Sequence, residues 1–215
     1  MRNKKFVILA GAITALFVNF ALARTLEGGI TGATIERTVV TIRSDGSSIH
    51  TALETWEISR TGARRVIRRD AVTRLVTFEM VADPSRGGVY YVHRKSNFAE
   101  KASTYSLLSQ LVTADKFLQD PSFVREEDIL GYHAYLVSLK DEAGRKTADL
   151  WFVPEFGNFP FKWITYQEDG SKVVIEPTKV TLGEPDPAAL RIGSEFTIKE
   201  ADQSTLLREH RSDQQ

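Results

Sequence analysis

Apolar and polar positions along most of this chain alternate with the two-residue period of half-buried strands. Ile35–Arg43 is rich in Thr and Val, and Asp45-Gly46 is a hairpin signal because Gly supplies positive φ. Ser48–Ser59 reads as the partner strand, with apolar residues on both parities: Ala52, Trp56 and Ile58 against Ile49 and Leu53. Thr61-Gly62 turns the chain into Ala63–Arg69. Val72–Val81 then alternates, with Val72, Val76, Phe78 and Met80 on one face. Asp83–Gly88 is a turn, and Val89–Arg94 is a further strand. Four segments follow later as a meander: Ile129–Lys140, Lys146–Gly157, Phe161–Gln167 and Lys172–Leu182.

The period changes once. Leu107, Leu111, Ala114 and Leu118 recur at helical spacing, which predicts an amphipathic helix over Lys101–Gln119. It is expected to stop before Asp120-Pro121, since the residue before Pro disfavours the helical region. Ser122–Asp128 fits either a strand or a short helical turn. Ala188–Ile192 fits a helical turn. About nine strands with hairpin-length links and one long helix predict an α+β fold. Its expected form is a highly curved antiparallel β-sheet, a half-barrel, with helices packed on the concave face.

The first residues break this pattern. Arg2, Lys4 and Lys5 precede an uncharged apolar run, Phe6–Phe20, and Ala21-Leu22-Ala23 is a small-x-small cleavage site. Residues 1–23 therefore read as a signal peptide, with no permanent membrane anchor and a periplasmic destination. One domain is expected over 24–198, followed by a polar tail over 199–215. Without residues 1–23, 25 Lys and Arg face 28 Asp and Glu, a net charge of −3. That balance argues against a nucleic-acid partner, which requires a basic face. Zero cysteines rule out a disulfide framework, so the fold rests on its apolar core; 42% hydrophobic residues, with 12 Phe, 6 Tyr and 3 Trp, supply one.

Candidate chemistry is sparse. There is no Cys nucleophile, no Gly-x-Ser-x-Gly elbow, no His-Glu-x-x-His and no phosphate-cradling glycine loop. His50, His93, His133 and His210 lie far apart in sequence, so no metal ligand set is assigned. No catalytic residue, metal or cofactor is assigned, and the chain is read as non-enzymatic. Arg64–Arg69 holds four arginines, which fit either an anion-binding patch or the charged face of a soluble sheet edge. Large apolar groups on both parities, as at Leu150 and Phe152 against Trp151 and Val153, require that both faces be covered. Either the core is filled, or one face lines a hydrophobic pocket with the helix as its lid. For the pocket, the expected walls are Trp56, Phe78, Met80, Tyr91, Tyr135, Trp151 and Trp163.

Several stretches carry a family likeness. Glu126–Tyr135 combines an acidic run with apolar-Gly-Tyr-x-x-Tyr, Asp149–Gly157 contains Trp-x-x-Pro-Glu, and Phe159–Lys162 and Gly183–Ile192 follow. This pattern resembles the LolA-like superfamily of outer-membrane lipoprotein-sorting proteins. The family's Arg-Trp strand motif after a Pro-Gly turn is missing from the first half. The resemblance implies a β half-barrel closed by helices, a lipid or lipoprotein acyl chain as the non-covalent ligand, a carrier or sensor role, and no enzymatic activity. The alternative expectation is an interaction module or regulatory subunit, with an envelope protein as partner.

Overall fold

The computed structural model describes residues 32–101, 118–156 and 159–200. These residues build one open sheet of twelve strands: β1 (Ala33–Ile42), β2 (Ser48–Ile58), β3 (Arg64–Asp70), β4 (Val76–Asp83), β5 (Gly88–His93), β6 (Phe98–Lys101), β7 (Phe123–Ile129), β8 (Tyr132–Lys140), β9 (Lys146–Val153), β10 (Phe159–Tyr166), β11 (Lys172–Leu182) and β12 (Thr197–Glu200). The spatial order is β12-β6-β5-β4-β3-β2-β1-β11-β10-β9-β8-β7. Neighbours run antiparallel except β6 and β12, which are parallel. The chain thus lays down one wing from β1 outward. It then restarts at the far edge with β7 and works back until β11 closes on β1.

This architecture corrects the expected α+β class. Among the described residues no helix packs on a concave face, and none has seven or more residues. The expected helix begins at Lys101, which ends strand β6. Residues 102–117 lie outside the described residues, and Leu118 and Gln119, which follow them, are helical. The segment 1–23 read as a signal peptide and the residues beyond Glu200 also lie outside. The curled open sheet agrees in outline with a half-barrel.

Local chemistry explains where strand boundaries moved. The expected Val72–Val81 strand starts only at Val76, because the Asp70 carboxylate accepts from the backbone N–H of Val72 (3.0 Å) and Thr73 (2.7 Å). That side-chain cap offers the backbone a loop instead of a ladder. The expected Ile129–Lys140 segment is divided by a two-residue turn, Leu130-Gly131, with φ of 52° and 81°. Two positive φ values in succession give the twist of a tight hairpin. The acidic stretch before it becomes β7. Pro154–Phe156, after β9, is a 3-10 turn that buries Phe156.

Three apolar clusters hold the sheet. The first joins Ile35, Trp56, Val66 and Met80 of the first wing to Leu136, Trp151, Phe156 and Phe161 of the second. The second gathers Val39, Val137, Leu150, Phe152, Trp163 and Ile175. In the third, Ile192 and Phe196 cover Val81, Tyr90, Val92 and Ala99. Ala148–Val153 is buried at six successive positions, as the apolar groups on both parities require.

Candidate functional site

Register brings the first set of expected ligand-lining residues together. Trp56 pairs with Val66, Val66 with Met80, and Met80 with Tyr91, so one row crosses β2 to β5. Phe78 sits one pair along that face, edge-on to Tyr91 at 5.7 Å between ring centroids. Trp151 belongs to the same apolar cluster, whereas Tyr135 and Trp163 belong to the second, around Phe152 and Leu150. The seven residues therefore divide into a set of five and a pair.

Beside Trp56 lies a buried ionic cluster that strand pattern reading passed over. Arg37 and Glu54 are opposite one another on β1 and β2 and form an ion pair; each is 1% exposed. The Trp56 indole donates to Glu54 Oε1 at 2.7 Å, and Arg68 donates to Glu54 Oε2 at 2.6 Å. A second Arg37 nitrogen reaches the Pro160 carbonyl at 2.8 Å, fastening β10 to β1 across the intervening β11. Burial alone would raise the Glu54 pKa, but Arg37, Arg68 and the Trp56 indole together hold it down to about 2. Burial lowers the Arg37 guanidinium from its ordinary value. Parity could have revealed this pair: Arg37 alternates in phase with Ile35 and Val39, and Glu54 with Ala52 and Trp56.

The arginine run of β3 is neither of the things expected of it. β3 lies inside the sheet between β2 and β4, so it is not an edge. Arg64 is 1% exposed, Arg65 contacts Glu57 and Glu79, and Arg68 contacts Glu54. Acidic side chains on the neighbouring strands engage Arg65 and Arg68, and Arg69 contacts the Thr55 hydroxyl.

An open groove of about 940 Å³ lies over β7 to β10. Leu136, Trp151, Ile164, Phe123 and Val124 supply its apolar lining. The polar lining centres on Asp149, which is 4% exposed. Asp149 accepts from Ser138 Oγ (2.6 Å) and Tyr166 Oη (2.7 Å) and pairs with Lys146 Nζ (2.7 Å). Burial alone would raise its pKa; the bonds from Lys146, Ser138 and Tyr166 outweigh that and hold the carboxyl below the usual range. A carboxylate held by three donors is a poor proton acceptor. Trp151 is 5% exposed, and its Nε1–H has no hydrogen-bond partner among the described residues. The Lys162 ammonium stands 5.1 Å from the Trp151 ring. Of the seven expected lining residues, Trp151 alone is in this groove's lining. The signal missed in the sequence was Asp149 itself, a lone charge inside the run Ala148–Val153.

The histidines do not converge. His133 meets Glu126 at 2.8 Å and Asp128 at 3.4 Å on the exposed β7–β8 hairpin, with its pKa raised chiefly by the hydrogen bond to Glu126. His50 and His93 lie on β2 and β5, and His210 is outside the described residues. Among the described residues no three metal-ligating side chains cluster, and no helix is long and apolar enough to cross a membrane.

No family model matches this chain, and no curated protein matches it. Solved structures do align with it. The fold is similar to that of LolA superfamily proteins. One such protein, from Nitrosomonas europaea, is 10% identical, with 83% of this chain and 96% of that chain covered and a TM-score of 0.37. An uncharacterized conserved protein from Thermus thermophilus is 13% identical over 88% of this chain and 99% of that one, with a TM-score of 0.46. The lipoprotein LppX from Mycobacterium tuberculosis is 10% identical over 85% and 98%, with a TM-score of 0.35. The likeness is one of fold, and no ligand or partner is taken from it.

Proposed function

We propose that the protein is a non-enzymatic binding protein for a hydrophobic ligand, a lipid or lipoprotein acyl chain, which it carries or senses in the periplasm after export. The observation that carries this reading is the groove over β7 to β10, floored by Leu136, Trp151 and Ile164. Its volume of about 940 Å³ lies at the upper end of ordinary ligand sites. Apolar area removed from water there contributes about 25 cal/mol per Å² before the costs of binding. Trp56, Phe78, Met80 and Tyr91, in the row across β2 to β5, extend the proposed apolar wall through the cluster that contains Trp151, with Tyr135 and Trp163 behind it.

The test is organic extraction of the purified protein followed by mass spectrometry, together with titration of a fluorescent fatty acid. A co-purifying lipid and saturable probe binding are expected. No lipid and no probe binding would refute the reading. The alternative, an interaction module that meets an envelope protein partner through a sheet edge or the Arg64–Arg69 strand, keeps the edge strands β7 and β12 as its surface, since Arg65 and Arg68 already contact Glu57, Glu79 and Glu54.

A further inference from the structure

We propose that the groove over β7 to β10 contains a headgroup subsite for an anionic oxygen group, a phosphate or carboxylate, at the end of an apolar chain. The inference rests on the hydrophobic-ligand reading and gives that ligand a charged end. Three observations carry it.

The first is the Trp151 indole. Its Nε1–H is buried and has no acceptor among the described residues, while Trp151 itself lines the groove. An indole nitrogen only donates, so the group that satisfies it must be an acceptor. Carbonyl, phosphate and carboxylate oxygens qualify, and an alkyl chain does not.

The second is charge. The lining carries Arg125, Lys140 and Lys146 against one acid, Asp149. Asp149 is compensated by Lys146 at 2.7 Å and by the Ser138 and Tyr166 hydroxyls. Arg125 is engaged by Glu127 at 2.9 Å. Lys140 is exposed and has no ion-pair partner among the described residues. A cation at the rim of an apolar groove whose one lining acid is already engaged attracts an anion.

The third is the arrangement of the two. Leu136, Ser138 and Lys140 alternate along β8, so they share a face, and Leu136 pairs directly with Trp151 of β9. Trp151 and Leu136 stand level, Ser138 and the compensated Asp149 come next, and Lys140 closes the row opposite Lys146. An amphiphile laid on this face places its chain against the apolar lining and its anionic end toward Lys140, within the lining that also holds Trp151.

Calorimetry of the purified protein with decyl phosphate, 1-decanol and inorganic phosphate tests this. Decyl phosphate should bind about tenfold or more tightly than decanol, equivalent to about 1.4 kcal/mol. Lys140→Gln, an exposed substitution, should remove most of that preference. Trp151→Phe, which keeps the ring and removes the donor, should weaken decyl phosphate about tenfold, in line with the loss of a bond to a charged acceptor. Equal affinity for decyl phosphate and decanol, or a preference untouched by Lys140→Gln, overturns the headgroup subsite and leaves the hydrophobic-ligand reading standing. Inorganic phosphate binding as tightly as decyl phosphate overturns the amphiphile. Binding of neither decyl probe overturns the hydrophobic-ligand reading at this groove as well.

Discussion

Glu54→Gln is the most informative single perturbation of the fold. The substitution keeps the shape and one acceptor for the Trp56 indole but removes the charge that faces Arg37 and Arg68. Arg37 is 1% exposed and stays charged, so it loses the carboxylate that faces it while still buried. Breaking a buried pair from one side costs about 3–5 kcal/mol. The titration of Glu54 gives a compatible figure: a fall from 4.5 to about 2 on folding corresponds to about 3 kcal/mol. Because the folded-state value is depressed, this stability is fully present above pH 4.5 and is lost as pH falls toward about 2. Urea denaturation from pH 7 down to pH 2 should show the wild type losing this increment and Glu54→Gln lacking it from the start. Adding Arg37→Met to Glu54→Gln should recover stability relative to Glu54→Gln, since a buried charge that has lost its facing carboxylate is removed. A Glu54→Gln protein within about 1 kcal/mol of wild type at pH 7, the range of an exposed pair, would refute the buried-pair argument.

Three further outcomes follow from the same geometry. Burial pushes the Tyr91 hydroxyl up to about 12, so its contribution is intact below pH 10 and lost as pH rises toward 12; Tyr91→Phe should abolish this alkaline loss of about 3 kcal/mol in denaturation curves between pH 9 and 12. Asp149→Asn weakens the bonds to Ser138, Tyr166 and Lys146 and should cost about 2 kcal/mol at pH 7 by urea denaturation, with the difference from wild type shrinking in acid because the Asp149 carboxyl is held below its usual range. Gly32→Ala places a Cβ 2.8 Å from the Ile58 carbonyl oxygen at a φ of +96°, and should lower stability by about 1–3 kcal/mol in thermal melts.

The strands were legible because their period is local. Most of those expected recur within a few residues, and the hairpins at Asp45-Gly46 and Thr61-Gly62 stand where Gly takes positive φ. The short strands at Phe98–Lys101 and Thr197–Glu200 were not legible. Four residues are too few to show a period, and both strands depend on a parallel pairing between residues about a hundred positions apart. The interior position of β3 was hidden for a different reason. Four arginines in six residues look solvent-facing until the acids on β2 and β4 that meet Arg65 and Arg68 are known, and those partners are set by register. The candidate site was legible at Trp151 and invisible at Lys140, because an ordinary lysine at a strand end has no local signal of the groove whose lining it shares with Trp151.

Under the proposed function, binding and folding place opposite demands on Trp151. As a core residue it contributes about 1.5–3 kcal/mol of apolar burial, and Phe would serve nearly as well. The indole adds one polar atom, which costs about 1–3 kcal/mol when buried without an acceptor. That penalty erases much of the packing gain unless an acceptor reaches Nε1. Trp56, the other buried tryptophan of the same cluster, shows the structural solution, an internal carboxylate at 2.7 Å. Trp151 has no such internal acceptor among the described residues, yet it faces a groove wide enough for a ligand to provide one. A protein whose Trp151→Phe variant is more stable than wild type when empty, and binds decyl phosphate less tightly, would display both halves of this trade; equal stability of the two empty proteins would mean that Nε1 is already satisfied and would remove the argument.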